Sequence, residues 1–172
     1  MQKIIFQKLT NVQLPNKAHS TDAGLDFYIP NDLNYIVQNG KNIKIGMYTR
    51  NLPDTNTALT STAIEINPHE SCLIPMGVKS KFDKGWALVF FNRSGIATKK
   101  HLLRGACIVD NDYRGEIFVN INNVSSDKQY LLPGDKLIQA MLLPVPKVEI
   151  VEDTVDNDTE RGAGGFGSTD KK

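Results

Sequence analysis

The chain has 172 residues, 40% of them apolar and 23% charged, with a formal net charge of +1. That length buries a core of its own, and the near-neutral balance excludes a whole-molecule field that recruits nucleic acid or anionic membrane. The two cysteines, Cys72 and Cys107, exclude a disulfide framework and lack zinc-site spacing; both lie in apolar runs and are expected as buried free thiols in a reducing, cytoplasmic setting.

The opening MQKIIFQKLT is too short for a signal peptide or a membrane span and reads as a strand over KIIFQKL. HSTDAGLDFY follows, with Asp22 and Asp26 around Ala23-Gly24. Two readings stand there: an Asx-type turn before a strand, or a carboxylate that holds Mg²⁺ directly or through water. Residues 31–60 are more polar. Asn39-Gly40 separates YIVQ from KNIKI, which predicts a tight two-residue hairpin, and 52–60 reads as a loop. The stretch is expected as a hairpin excursion within a domain spanning 1–150.

Short apolar runs then recur: SCLIPMGVKS, WALVFF, EIFVNIN, KLIQAMLLP and PKVEIV. Ile117, Val119 and Ile121 alternate with other residues, the two-residue period of a half-buried strand. Gly and Pro interrupt any long helical pattern, so at most one short helix, around Ser94 to His101, is expected. The fold class is all-β, a sandwich or barrel-like arrangement.

Four segments carry candidate chemistry. FNRSGIATK places Arg93, Ser94 and Gly95 at a helix start, either a Ser N-cap with a solvent Arg or a phosphate contact. GACIVDNDYRGEI packs Asp110, Asp112, Tyr113 and Arg114 into five positions. It is a hairpin turn with solvated charges, or an acid that takes a proton from water beside a ring and a cation. In PGDKLIQA, Asp135 and Lys136 read as turn charges, while Gln139 in an apolar strand needs a partner, backbone before ligand. Residues 151–172 change to an acidic, then Gly-rich arm. It is a disordered tail, or a lid that brings Arg161, Phe166 and hydroxyls to a ligand. His19, His69 and His101 lack metal spacing and read as solvated or core histidines, and neither a GxxxxGK[ST] nor a GxGxxG phosphate motif occurs.

The order AGLD, NRSG, VDNDYRGE, GDKLIQ and RGAGGFGST resembles the five motifs of the trimeric dUTPase family, over about Leu14 to Thr169. The resemblance implies a jelly-roll-like β subunit assembled as a homotrimer whose active sites combine residues of three chains. It implies hydrolysis of dUTP to dUMP and pyrophosphate with Mg²⁺, which limits uracil in DNA and supplies dUMP. Asp26 would hold Mg²⁺ through water, and Arg93, Ser94, Gly95 and Gln139 would contact phosphates. Asp110 would deprotonate the attacking water, with Asp112 a turn residue whose charge tunes it. The hairpin through Cys107 and Val109 would offer main-chain groups to uracil, and Tyr113 would pack on the deoxyribose and exclude a 2′-hydroxyl. Arg161 would reach the γ-phosphate, Phe166 would stack on uracil, and Gly167, Ser168 and Thr169 would close over the phosphates.

The chain departs from the family pattern at Asn92, Arg104, Cys107 and Asp170 and adds the 31–60 hairpin, which leaves room for a protein partner and fits a phage or viral member acting in host cytoplasm. The alternatives are a dCTP deaminase or bifunctional relative on the same fold, and a non-catalytic regulatory relative. DNDY after Val109 and the complete RGAGGFGST tail favour dUTPase over deaminase. No nucleic-acid or membrane partner is expected.

Overall fold

The computed structural model describes residues 2–51 and 58–164. Its strands are β1 (Ile4–Lys8), β2 (Leu25–Tyr28), β3 (Tyr35–Gln38), β4 (Lys41–Lys44), β5 (Gly46–Asn51), β6 (Ala58–Ile66), β7 (Ser71–Pro75) and β8 (Val78–Phe82). After β9 (Trp86–Asn92) come the helix α1 (Ser94–Lys100), β10 (Leu102–Arg104), β11 (Ile108–Val109), β12 (Phe118–Asn123), β13 (Gln129–Leu131) and β14 (Lys136–Pro144). All pairings are antiparallel. The larger sheets run β10-β12-β7-β3-β4 and β11-β9-β14-β2. The all-β class is as expected, as is the one short helix among the described residues.

The two sheets share one core. Phe27, Leu88, Phe90, Ile138 and Ala140 from one meet Cys72, Ile74, Val119 and Ile121 from the other. The Phe27 ring meets Phe6 and Phe90 edge-on at 5.6 and 5.0 Å. Val119 and Ile121 point inward with the predicted period, and the next inward position is Asn123, also buried. That amide is satisfied. Its Nδ2 donates to the carbonyls of Ile66, Asn67 and Asp127 at 2.8 to 3.1 Å, and its Oδ1 accepts from Ser125. Burial pushes the Cys72 thiol up to about 12, with the Glu70 charge adding to it. Cys107 is half-buried.

The Asn39-Gly40 turn forms as predicted, with both residues at positive φ (51° and 72°) and Gln38 opposite Lys41. The hairpin it closes is tied into the domain: Leu33 and Ile36 are buried in the common core, and Val37 lies opposite Leu73 of β7. Residues 58–60, expected as loop, instead start β6 and pair with β5. The β-branched threonines of ALTSTAIEI suit a strand that their polarity conceals. Residues 52–57 of that expected loop lie outside the described residues. PKVEIV takes no strand conformation in the single chain, and Val148, Ile150 and Val151 are exposed; a strand needs a neighbour, and this segment has none assigned. Among the described residues no helix is long and apolar enough to cross a membrane.

Candidate active site

Sheet register brings the first, second and fourth sequence motifs together. Gln139 of β14 lies opposite Asp26 of β2 on one side and Phe91 of β9 on the other. Arg93 follows at the end of β9. Asp26 is 14% exposed, and each of its oxygens is engaged: Oδ1 accepts from Arg93 Nε at 2.9 Å and Oδ2 from Lys136 Nζ at 2.7 Å. Arg93 Nη1 also donates to the Lys136 carbonyl at 2.9 Å. Two of its five N–H directions are thus fixed, which points the rest of a guanidinium that remains 30% exposed. One carboxylate between two cations leaves the cluster electropositive. The hydrogen bond to Asp26 raises the Lys136 pKa; partial burial opposes the shift and the Asp26 charge reinforces it. The ammonium also sits 5.7 Å from the Tyr28 ring centroid. Reading Lys136 as a plain turn charge is therefore corrected. Asp135 is the turn residue, accepting from Leu132 N–H at 2.9 Å.

Asp22, by contrast, closes a turn, though not by the Asx-type bond expected, in which the side chain accepts from the N–H two residues on: its N–H donates to the His19 carbonyl at 3.0 Å and its carboxylate accepts from His19 N–H, three residues back, at 2.8 Å. Gln139 finds its partner in backbone, Nε2 donating to the Asn92 carbonyl at 2.9 Å. Asn92 has a second use that the sequence concealed: its Oδ1 accepts from Arg104 N–H at 2.8 Å. A cavity of about 410 Å³ opens here, lined by Gly24, Phe91, Asn92, Arg104 and Gln139 among others. Arg104 stands 5.8 Å over the Phe91 ring. The Ser N-cap alternative is not what forms. Arg93 occupies the N-cap position without a side-chain cap, and Ser94 and Gly95 are exposed in the first turn. His101 ends the helix in the left-handed region, and all three histidines are exposed.

The third motif builds a separate cavity of about 210 Å³, lined by Ile108, Val109, Asp110, Tyr113, Ile117 and Phe118. β11 pairs with β9, Val109 opposite Leu88, and the Cys107 carbonyl accepts from Phe90 N–H at 2.7 Å. Cys107 is not among the positive-φ residues, so its place in the hairpin requires no glycine. Tyr113 N–H donates to the Asp110 carbonyl at 3.2 Å and closes the turn. Asp110 is exposed at its edge. The Tyr113 hydroxyl donates to the Glu116 carbonyl at 2.8 Å. Arg114 is no free cation: its Nη1 braces the turn on the carbonyls of Asn111 and Tyr113, at 2.7 and 2.9 Å.

One chain does not bring the two clusters together. β9 and β11 are antiparallel, so Asp110 lies level with Ala87 while Arg93 lies six residues along, roughly 20 Å at strand spacing. Arg161 is exposed on the arm, donating from Nε to the Gly164 carbonyl at 2.8 Å, and lines neither cavity. Phe166, Gly167, Ser168 and Thr169 lie outside the described residues.

Among the described residues no three His, Cys, Asp or Glu side chains could together hold a metal ion. Direct coordination at Asp26 would bring a divalent cation up against the Arg93 and Lys136 charges. A carboxylate has about four lone-pair directions, however, so Asp26 retains acceptor capacity for a water of a hydrated Mg²⁺. The residues fit an outer-sphere role.

A family model described as dUTPase matches residues 58–170, a stretch that begins after Asp26. A deoxyuridine 5′-triphosphate nucleotidohydrolase of Hydrogenobaculum is 37% identical over 111 residues, 63% of this chain and 77% of the relative. Among solved structures, a mutant dUTPase of Staphylococcus bacteriophage 80alpha with dUpNHpp is 19% identical with a TM-score of 0.69, over 97% of this chain and 98% of that one. A mutant dUTPase of S. aureus phage phi11, described with a structural Mg(II) ion, is 19% identical with a TM-score of 0.64, over 90% and 99%. These structural likenesses extend the shared fold across the segment that carries Asp26.

Proposed function

Because the chain belongs to the dUTPase family, we propose that its two clusters are complementary parts of one dUTP site, completed when chains assemble as a homotrimer. The chain is a dUTP diphosphatase, producing dUMP and pyrophosphate. The observation that carries the assembly reading is the separation of an acid-and-ring cavity from an electropositive cluster on the same sheet. Exposed Val148, Ile150, Val151 and Val155 on the arm supply apolar surface for another copy.

In this reading Asp110 takes the proton of the water that attacks the α-phosphorus, from an exposed position beside the base pocket. Tyr113 covers the sugar, and the backbone through Cys107 and Val109 meets uracil. Arg93, aimed by Asp26, meets phosphate oxygens with its unfixed N–H groups, as do Ser94, Gly95 and Gln139. Asp26 would hold Mg²⁺ through water, and the ion supplies neutralisation of triphosphate charge. From the arm, Arg161, Phe166, Gly167, Ser168 and Thr169 close the site and exclude water. The relatives' names support hydrolysis, and no observation favours the deaminase alternative.

The test is pyrophosphate release from dUTP, UTP, dTTP and dCTP, with and without Mg²⁺. Release from dUTP is expected to dominate and to require the ion; ammonia release from dCTP would overturn the assignment. Asp110→Asn is expected to keep nucleotide binding and lower kcat by about two to four orders of magnitude. Near-normal turnover would remove Asp110 from the base role.

A further inference from the structure

We propose that Gly115 is a positioning residue for sugar discrimination, its missing side chain giving the Tyr113 ring its place. The inference rests on the reading of Tyr113 as the sugar-facing ring. A glycine in a polar turn ordinarily answers a backbone need for positive φ. Among the described residues, glycine φ is positive at Gly40, Gly77, Gly85, Gly134 and Gly162, and not at Gly115. What a side chain here would meet is the Tyr113 ring. A Cβ at this position would lie 2.6 Å from Tyr113 Cζ and 3.0 Å from Cε2, and nearer still to the hydroxyl. By contrast, a Cβ on Gly95 would meet nothing within 4 Å.

The rest of the turn is braced, so the ring is what must give. Tyr113 N–H is bonded to the Asp110 carbonyl, and Arg114 ties down the carbonyls of Asn111 and Tyr113. Glu116, whose carbonyl receives the Tyr113 hydroxyl, is itself anchored: its Oε1 accepts from Gly77 N–H at 3.0 Å. The hydroxyl is the atom closest to the added methyl, so Gly115→Ala breaks the tether to Glu116 and swings the ring off its place in one stroke. Asp110, on the other side of the turn, keeps its backbone. The ring that lines the Asp110 cavity then no longer bars a 2′-hydroxyl, while the base and the water-activating acid stay where they were.

The test is a double-mutant cycle read as the ratio of kcat/KM for dUTP over UTP. Gly115→Ala is expected to lower that ratio by about an order of magnitude. Adding it to Tyr113→Ala is expected to change the ratio no further, because its target is already gone. Tyr113→Phe, which keeps Gly115 and loses the tether, is expected to lower the ratio by a smaller factor. It carries the test should Gly115→Ala not fold. An equal loss from Gly115→Ala in both backgrounds would place its effect in the turn backbone and overturn the inference. So would an unchanged ratio in Gly115→Ala or in Tyr113→Phe where Tyr113→Ala lowers it. An unchanged ratio in Tyr113→Ala would instead remove the sugar-facing reading, and this inference with it.

Discussion

At the scale of single residues, the carboxylate of Asp26 organises the electropositive cluster. It sits between Arg93 and Lys136, and each of the three fixes another. Lys136→Met removes one of two cations and loosens the Asp26 hold on Arg93. The expected result is a KM for dUTP raised several-fold with a smaller change in kcat, read by steady-state kinetics. The same variant has a pH signature. The folded-state pKa of Lys136 is raised, so its contribution to stability is fully present below the ordinary lysine value and is lost as the pH rises through the folded one. The melting-temperature gap between parent and Lys136→Met is therefore constant from about pH 6 to about pH 9 and narrows above about pH 10.4. A gap that changes between about pH 6 and about pH 9 would assign the effect to another group. Sequence made Asp26 and Gln139 visible as polar residues in odd places, but not Lys136. Its partner is 110 residues away, and only the β2–β14 pairing brings them together.

Among the elements, the local signals were the legible ones. Asn39-Gly40 dictates its turn through the φ values its residues tolerate, and the inward side chains of β12 are written in the alternation of Val119 and Ile121. What could not be read depended on partners: the strand hidden in the threonines after residue 57, and the exposed run after Val145, which joins no strand. Gly40 separates the local term from the rest. It has positive φ with nothing within 4 Å of where a Cβ would stand. Gly40→Ala therefore adds no clash and costs only the left-handed backbone penalty, about 1 to 2 kcal/mol. Chemical denaturation is expected to show that loss with kcat for dUTP unchanged, since the turn lines neither the Asp110 cavity nor the Gln139 cavity. A drop in kcat would bring the β3–β4 hairpin into the catalytic cycle.

For the whole molecule, the separation along β9 is the decisive quantity. Asp110 lies level with Ala87 and Arg93 lies past Asn92, so within one chain the acid and the guanidinium stand at opposite ends of β9 and in different cavities. If a site takes Asp110 from one copy and Arg93 from another, two inactive variants should rescue each other. Asp110→Asn chains retain an intact phosphate side, and Arg93→Ala chains retain an intact hairpin. Refolded together in equal amounts, they assemble at random. About one site in four then draws the good residue from each, while a site built within one chain gains none. The expected mixture therefore releases pyrophosphate at about a quarter of the parent rate per chain, whereas either variant alone stays near its own floor. Recovery should appear only after subunit exchange, so mixing the folded assemblies without denaturation gives a slow rise or none. A refolded mixture no more active than the average of its parts would show that one chain holds the complete site. The roughly 20 Å read from the strand register would then be spanned by an extended nucleotide and the reach of the Arg93 side chain, or closed by a rearrangement of β9 and β11.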